Sequence, residues 1–282
     1  MVVALVALLL STTGGNSNKS GLPRIHRIVL IVLENQDFDS VIGDRSAREL
    51  NRLARRYALL TNYFALEHPS LPNYLALVSG STHGVKTDCL RCMFSARNLA
   101  DTLEEAHRTW KVYAEGLRAR GFAGSRSGLY VKRHNPFLYF RDVASNPARR
   151  IQVVPLPEFK RDLSLGVLPD FSFVVPDLCH STHDCTLAHG DGWLRRFLRP
   201  LLTSSQLDDG VVFVTFDEAS FEDTEGGGGH IATLVLGPLV RPGARTSERL
   251  THYNLLRTIE DAWSLPRLGG SASANPIRGI WR

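Results

Sequence analysis

Phe213-Val214-Thr215-Phe216-Asp217-Glu218-Ala219 is the stretch on which the fold turns. Four β-favouring residues run into two adjacent carboxylates. A buried strand that ends in acids is how an open α/β sheet presents ligands, because binding groups collect at the carboxyl ends of its strands. Gly226 to Gly229 and His230 follow, then a second apolar run from Ile231 to Gly237. The same pattern stands near the start of the chain, where Ile28-Val29-Leu30-Ile31-Val32-Leu33 leads into Glu34-Asn35. The two strand ends are expected to lie side by side and to hold one cation between them.

Outward from these strands, helical and extended patterns alternate. Ile28 to Leu33, Phe171 to Pro176 and Val211 to Phe216 are continuous apolar runs, as expected of strands buried on both faces. Leu59 to Ala65, Trp110 to Glu115 and Ile231 to Leu236 read as further strands. Ser46 to Tyr57 carries Ala47, Leu50, Leu53, Ala54 and Tyr57 at helical spacing. Leu99 to Ala106 reads as a helix capped by Asn98, and Asp191 to Leu202 and His252 to Trp263 as two more. A helix from Tyr74 stops near Gly80. Glu34 to Gly43 and Gly116 to Gly128 read as loops. The segment Glu67-His68-Pro69-Ser70-Leu71-Pro72-Asn73 reads as a stiff loop, since each proline restricts its neighbour. This alternation predicts a three-layer α/β/α sandwich with a mainly parallel central sheet.

The 282 residues are enough for one large core. Residues 1–20 read as a leader segment and linker: an apolar run, Met1 to Leu10, then small and polar residues. Residues 21–282 read as a single catalytic domain. No stretch is long and apolar enough for a membrane-spanning helix. A net charge of +5 favours anionic ligands. The basic residues are scattered, as at Arg55-Arg56, Arg149-Arg150 and Arg195-Arg196, so a generally basic surface is expected and a nucleic-acid partner is not. The cysteines fall in two close pairs, Cys89 with Cys92 and Cys179 with Cys185. With the leader, this points to two local disulfides in an oxidising, extracellular or cell-envelope setting. The alternative is one zinc knuckle using all four thiolates.

Five polar clusters follow expected strands or lie in the stiff loop: Glu34-Asn35, His68 with Ser70, His134, His180 and His183 with Asp184, and Asp217-Glu218. In a parallel sheet such ends converge on one edge. Carboxylates, an amide oxygen and a hydroxyl form a hard oxygen site suited to one divalent cation. Such an ion lowers the pKa of a coordinated hydroxyl and neutralises a phosphoryl oxygen. Imidazoles around it donate to phosphate oxygens or protonate a leaving alkoxide.

At these residues the sequence resembles the bacterial phosphoesterase family of secreted acid phosphatases and phospholipases C, a branch of the alkaline-phosphatase-like superfamily. It is most similar to the short actinobacterial secreted acid phosphatases, a branch that includes a phosphatidylinositol 3-phosphate phosphatase. The segments that carry this are Val32 to Asn35, His68 to Leu77 with Ser79-Gly80, His134 to Phe137, His183-Asp184 with Gly190 to Trp193, Thr215 to Glu218, and His252 to Leu256. The resemblance implies a metal site of Glu34, Asn35, Ser70, Asp217 and Glu218, with Ser70 as the nucleophile that forms a phosphoserine. It implies phosphate contacts from His134 and His183, with Asp184 supporting His183. His68, shared only with nearer relatives, is placed among the phosphate contacts. Asp177 and His180 stand where neutral, asparagine-like residues are expected. The substrate expected is a phosphorylated small molecule or lipid headgroup. A phospholipase C-type phosphodiesterase is the first alternative, weakened by the absence of that group's long C-terminal extension. A catalytically inactive anion-binding protein of the same fold is the second. A sulfatase fits less well, since the context of a modified cysteine or serine nucleophile is missing.

Overall fold

The computed structural model describes residues 21–282. The leader expected at residues 1–20 lies outside them. The frame is an eight-stranded sheet. In chain order its strands are β1 (Arg27–Leu33), β2 (Ala58–Leu60), β3 (Trp110–Ala114), β4 (Val153–Pro155), β5 (Phe171–Val175), β6 (Gly210–Phe216), β7 (Thr233–Leu236) and β8 (Arg245–Thr246). Across the sheet the order is β8-β2-β7-β6-β1-β5-β3-β4. β1 pairs in parallel with both β5 and β6, and β7 runs antiparallel to β6 and β2. The sheet is therefore mainly parallel, with β1 and β6 at its centre. Every residue of β5 and β6, and Ile28 to Leu33 of β1, is buried, which explains why these strands read as unbroken apolar runs.

The longer helices are α1 (Arg48–Arg56), α2 (Ser70–Ser79), α3 (Leu99–Glu105), α4 (Pro157–Leu165), α5 (Leu187–Leu201) and α6 (His252–Ala262). α1 packs against α5 and α2 against α6, giving the outer layers of an α/β sandwich. All ten residues of α2 are buried, so this helix is part of the core on every face. It ends where Gly80 turns into the left-handed region at φ 68°. A side chain there would meet the Leu268 carbonyl oxygen at 1.9 Å, so only glycine closes this helix.

The elements differ from the sequence reading at several places. α2 starts at Ser70, inside the segment read as a loop. Pro72 falls in the first helical turn, where its missing N–H removes no bond. The strand expected over Leu59 to Ala65 is split at Thr61-Asn62. Ala58–Leu60 stays in the main sheet, and Tyr63–Phe64 pairs with Leu250–Thr251 in a separate ladder. The loop Glu34 to Gly43 contains one helical turn, Phe38–Val41. β4 and α4 went unread, although Pro157 at the start of α4 and Gly166 after its end are the usual boundary residues.

Both expected disulfides are present, Cys89–Cys92 and Cys179–Cys185, and no described cysteine is free, so the zinc knuckle is set aside. Among the described residues no helix is long and apolar enough to cross a membrane.

Candidate active site

Leu33 pairs with Phe216 at the ends of β1 and β6, so the residues that follow them, Glu34 and Asp217, leave the sheet side by side. The Asp217 amide donates to the Leu33 carbonyl at 3.0 Å. Asn35 turns into the left-handed region at φ 50° and donates its backbone N–H to Asp217 Oδ1 at 3.3 Å. Such a backbone costs free energy in a residue other than glycine, though asparagine tolerates it best. Glu34, Asp217 and Glu218 are all fully buried.

Ser70 reaches these acids from α2. Its hydroxyl lies 3.2 Å from Glu34 Oε2 and 3.1 Å from Glu218 Oε1. As the first helical residue it sits at the positive end of the α2 dipole. One turn on, the Tyr74 hydroxyl donates to Glu34 Oε1. The loop before Ser70 is pinned by Asn73. The Asn73 side-chain oxygen accepts from the Leu66 and Glu67 amides at 2.9 and 3.2 Å, and its amide donates to the Glu67 carbonyl at 2.6 Å.

Three buried carboxylates thus surround one hydroxyl, and among the described residues none has a lysine or arginine within ion-pair distance. Burial raises the Glu34 carboxyl well above the usual carboxylate range, and the Asp217 charge adds to that. Burial likewise raises Asp217 and Glu218, with Asp217 contributing to the shift of Glu218. An uncompensated cluster of this kind is costly unless a positive charge is supplied. Two buried acceptors beside it, Asn35 Oδ1 and Asp217 Oδ2, have no hydrogen-bond donor. Acceptors left without donors, in a set made only of oxygens, fit a hard divalent cation.

The histidines take different positions around this cluster. His134 is buried and stacked on Tyr74, with ring centroids 5.3 Å apart, and its Nε2 lies 3.3 Å from Glu34 Oε2. Burial, with Arg133 and His183 nearby, holds it well below the usual histidine range. His183 is exposed at the mouth, donates from Nδ1 to Asp184 Oδ1 at 2.6 Å and stands 6.0 Å from the His134 ring. His68 has both ring nitrogens engaged, Nδ1 with Glu218 Oε2 at 2.5 Å and Nε2 with the Asp223 carbonyl at 2.9 Å. It therefore orients Glu218 and has no nitrogen left over for a phosphate. His180 lies apart from this group. Its Nδ1 is 3.0 Å from Glu115 Oε2 and 3.5 Å from Asp177 Oδ1. These three residues bring ligand-type atoms within 4.8 Å of one another, but they satisfy each other. His230 stacks between Phe38 and Phe64 and is structural.

Sequence reasoning passed over Tyr74, Asp88 and Arg133. Arg133 donates from a terminal nitrogen to His183 Nε2 at 3.1 Å, and its Nε lies 3.3 Å from Asp88 Oδ2 without hydrogen-bond alignment. Asp88 also accepts from the Leu71 amide at 3.1 Å. Arg133 is thus a guanidinium held at the mouth of a carboxylate site with a buried donor unspent. The signal available in the sequence was its position next to His134. Tyr74 was legible as the residue one turn after Ser70.

The Phosphoesterase family profile matches residues 45–266. The chain is 35% identical to a phosphatidylinositol-3-phosphatase of Mycobacterium tuberculosis, over 93% of this chain and 85% of that protein. It is 34% identical to a phosphate-repressible acid phosphatase of Penicillium chrysogenum, over 90% of this chain and 62% of that one. The chain spans about three fifths of the length of its fungal relatives. In three dimensions it is similar to an alkaline phosphatase superfamily protein of Vibrio parahaemolyticus, with a TM-score of 0.62 at 15% identity over 91% of this chain and 71% of that one. A phosphonate monoester hydrolase of Agrobacterium radiobacter gives a TM-score of 0.57 at 14% identity, over 91% and 78%. At these identities the structural likeness speaks for the fold.

Proposed function

The chain belongs to the Phosphoesterase family, and from that premise we propose that it is a phosphoric ester hydrolase that cleaves phosphate monoesters with Ser70 as nucleophile. The observation that carries this reading is the Ser70 hydroxyl at the start of α2, 3.2 and 3.1 Å from two buried carboxylates. Glu34, Asn35, Ser70, Asp217 and Glu218 would hold one divalent cation. When bound, that ion offsets the carboxylate charge and neutralises phosphoryl oxygens.

Ser70 Oγ attacks phosphorus in line with the ester oxygen. Its proton passes to the Glu34 or Glu218 carboxylate, both within hydrogen-bond reach. The P–O ester bond breaks, the departing alkoxide takes a proton from solvent at the open mouth beside His183, and a phosphoserine remains. Water then attacks the same phosphorus and loses a proton to solvent, the P–Oγ bond breaks, Ser70 Oγ regains the proton held by the carboxylic acid, and inorganic phosphate is released. Arg133 and His134 face the phosphoryl oxygens, and His68 holds Glu218 in register. Most of the rate comes from positioning and charge neutralisation, as expected of phosphoryl transfer.

Substrates are phosphorylated small molecules or lipid headgroups. The similarity to a mycobacterial phosphatidylinositol-3-phosphatase supports headgroups as candidates. Residues 21–282 act as one catalytic domain, supported by a single hydrophobic cluster that includes residues from Leu22 to Trp281. Two disulfides and acid phosphatase relatives support a secreted or envelope location.

The test is hydrolysis of p-nitrophenyl phosphate, bis-p-nitrophenyl phosphate and p-nitrophenylphosphorylcholine, with and without chelator. Preferred turnover of the monoester supports the phosphatase. Turnover of the diester or choline ester alone would replace it with a phospholipase C-type enzyme. No turnover by folded protein with any divalent ion would leave an anion-binding protein.

A further inference from the structure

Arginines scattered through the sequence meet on one face of the fold. α1 and α5 pack together, and a cleft of about 610 Å³ opens between them, lined by Arg45, Arg48, Arg52 and Arg195. An adjoining cleft of about 240 Å³ adds Arg56 and Arg199. Arg48, Arg52 and Arg56 are spaced by four along α1, and Arg195 and Arg199 by four along α5. Each set therefore forms a row with about 6 Å between successive residues. All six are exposed.

Their charge is poorly compensated. Among the described residues, only Arg52 of the six has a carboxylate within ion-pair distance, Glu49 at 2.6 Å. The one other acid lining these clefts, Asp191, is spent on the α1 backbone, accepting from the Glu49 and Leu50 amides at 2.8 Å each. Arg48 opens α1 and Arg45 precedes it, at the helix end whose dipole favours anions. Like charges four apart on a helix repel one another and destabilise it. The fold carries these costs on one face, in a cleft whose volume lies within the roughly 300–1,000 Å³ of small-ligand sites.

We propose that the α1–α5 cleft binds a small anion bearing several phosphoryl groups. Its guanidinium rows suit phosphate oxygens, which arginine grips in bidentate fashion. The site is separate from Ser70, which α2 carries in the other helix layer. α1 and α5 follow β1 and β5, so both begin at the carboxyl edge of the sheet and the rows run away from the rim that carries Ser70. A bilayer fits less well: among the described residues the exposed large apolar side chains are Leu90, Leu129, Ile151, Leu165, Val167 and Phe221, and none lies on α1 or α5.

The test is calorimetric titration of the full chain carrying Ser70→Ala, which blocks turnover, with myo-inositol hexakisphosphate and with tripolyphosphate. The parent should bind, with affinity falling as salt is raised. Adding Arg48→Ala and Arg195→Ala should weaken binding by at least about tenfold. In the otherwise native chain the same two changes should leave p-nitrophenyl phosphate turnover and melting temperature unchanged, which shows that the fold and the Ser70 site are intact. Identical titrations in parent and variant would overturn the proposal, since binding would then belong to the Ser70 site. An absence of binding would overturn it as well. Arginine-dependent binding to phosphoinositide vesicles or a single-stranded oligonucleotide, with none to the soluble anions, would replace it with a membrane or nucleic-acid surface.

Discussion

Leu33 and Phe216 sit opposite each other at the ends of two parallel strands, and that pairing places Glu34 beside Asp217. Two strands far apart in sequence therefore deliver their acids to one point. α2 supplies Ser70 to the same point, and the 310 turn Lys132–His134 supplies His134 with Arg133 beside it. The chemistry follows from this convergence.

Arg133 should bind the phosphoryl group. Arg133→Ala is expected to lower kcat/KM for p-nitrophenyl phosphate by roughly 10–100-fold, the worth of a hydrogen bond to a charged group. The loss for the monoanionic diester should be smaller. Steady-state kinetics on both esters check this, and equal losses would make Arg133 a packing residue.

Much of the site was legible in the sequence, for a physical reason. Strands buried on both faces are apolar throughout, so acids at their ends, such as Glu34 and Asp217, stand out. Ser70 was legible as a site residue, but the start of its helix was not, because two prolines read locally as a loop while Pro72 falls where a helix tolerates it. His68 was grouped with the phosphate contacts. Its engagement with Glu218 and the Asp223 carbonyl depends on a loop fold that no spacing encodes. Arg133 gained its place only when β5, the 177–185 loop and the 132–134 turn came together. The arginines of α1 and α5 looked scattered because helix packing brings residues 45–56 and 195–199 onto one surface.

Cation binding should stabilise the fold. A ligand that binds only the folded chain adds about 2.7 kcal/mol at one hundred times its Kd, a Tm rise of roughly 5 °C for a chain of this size. Thermal melts with Mg²⁺, Mn²⁺ and Ca²⁺ should show the rise for at least one ion, and Asp217→Asn should remove it. Melts of the native chain insensitive to every ion and to chelator would contradict the oxygen-ligand site.

Glu260 should give stability a pH dependence away from the site. Its carboxyl accepts from the Leu268 amide at 2.9 Å and from the Ser271 hydroxyl at 2.6 Å, yet burial outweighs these bonds and raises it to about 7 from 4.5. Between those values the unfolded chain releases this proton while the folded chain keeps it. Stability therefore falls as pH rises from about 4.5 to about 7 and levels off above. Urea unfolding across that range should show the decline in the native chain and a flatter profile in Glu260→Gln. Parallel profiles would contradict the assignment.

The central claim is that Ser70 carries the phosphoryl group. It is tested most directly by acid-quenching the enzyme during turnover of p-nitrophenyl phosphate and locating covalent phosphate by peptide mass spectrometry. The account predicts one phosphoryl group on the peptide containing Ser70, absent from Ser70→Ala, with turnover in that variant reduced by about 10⁴-fold or more. Sustained turnover in Ser70→Ala, or phosphate trapped on another residue, would contradict it.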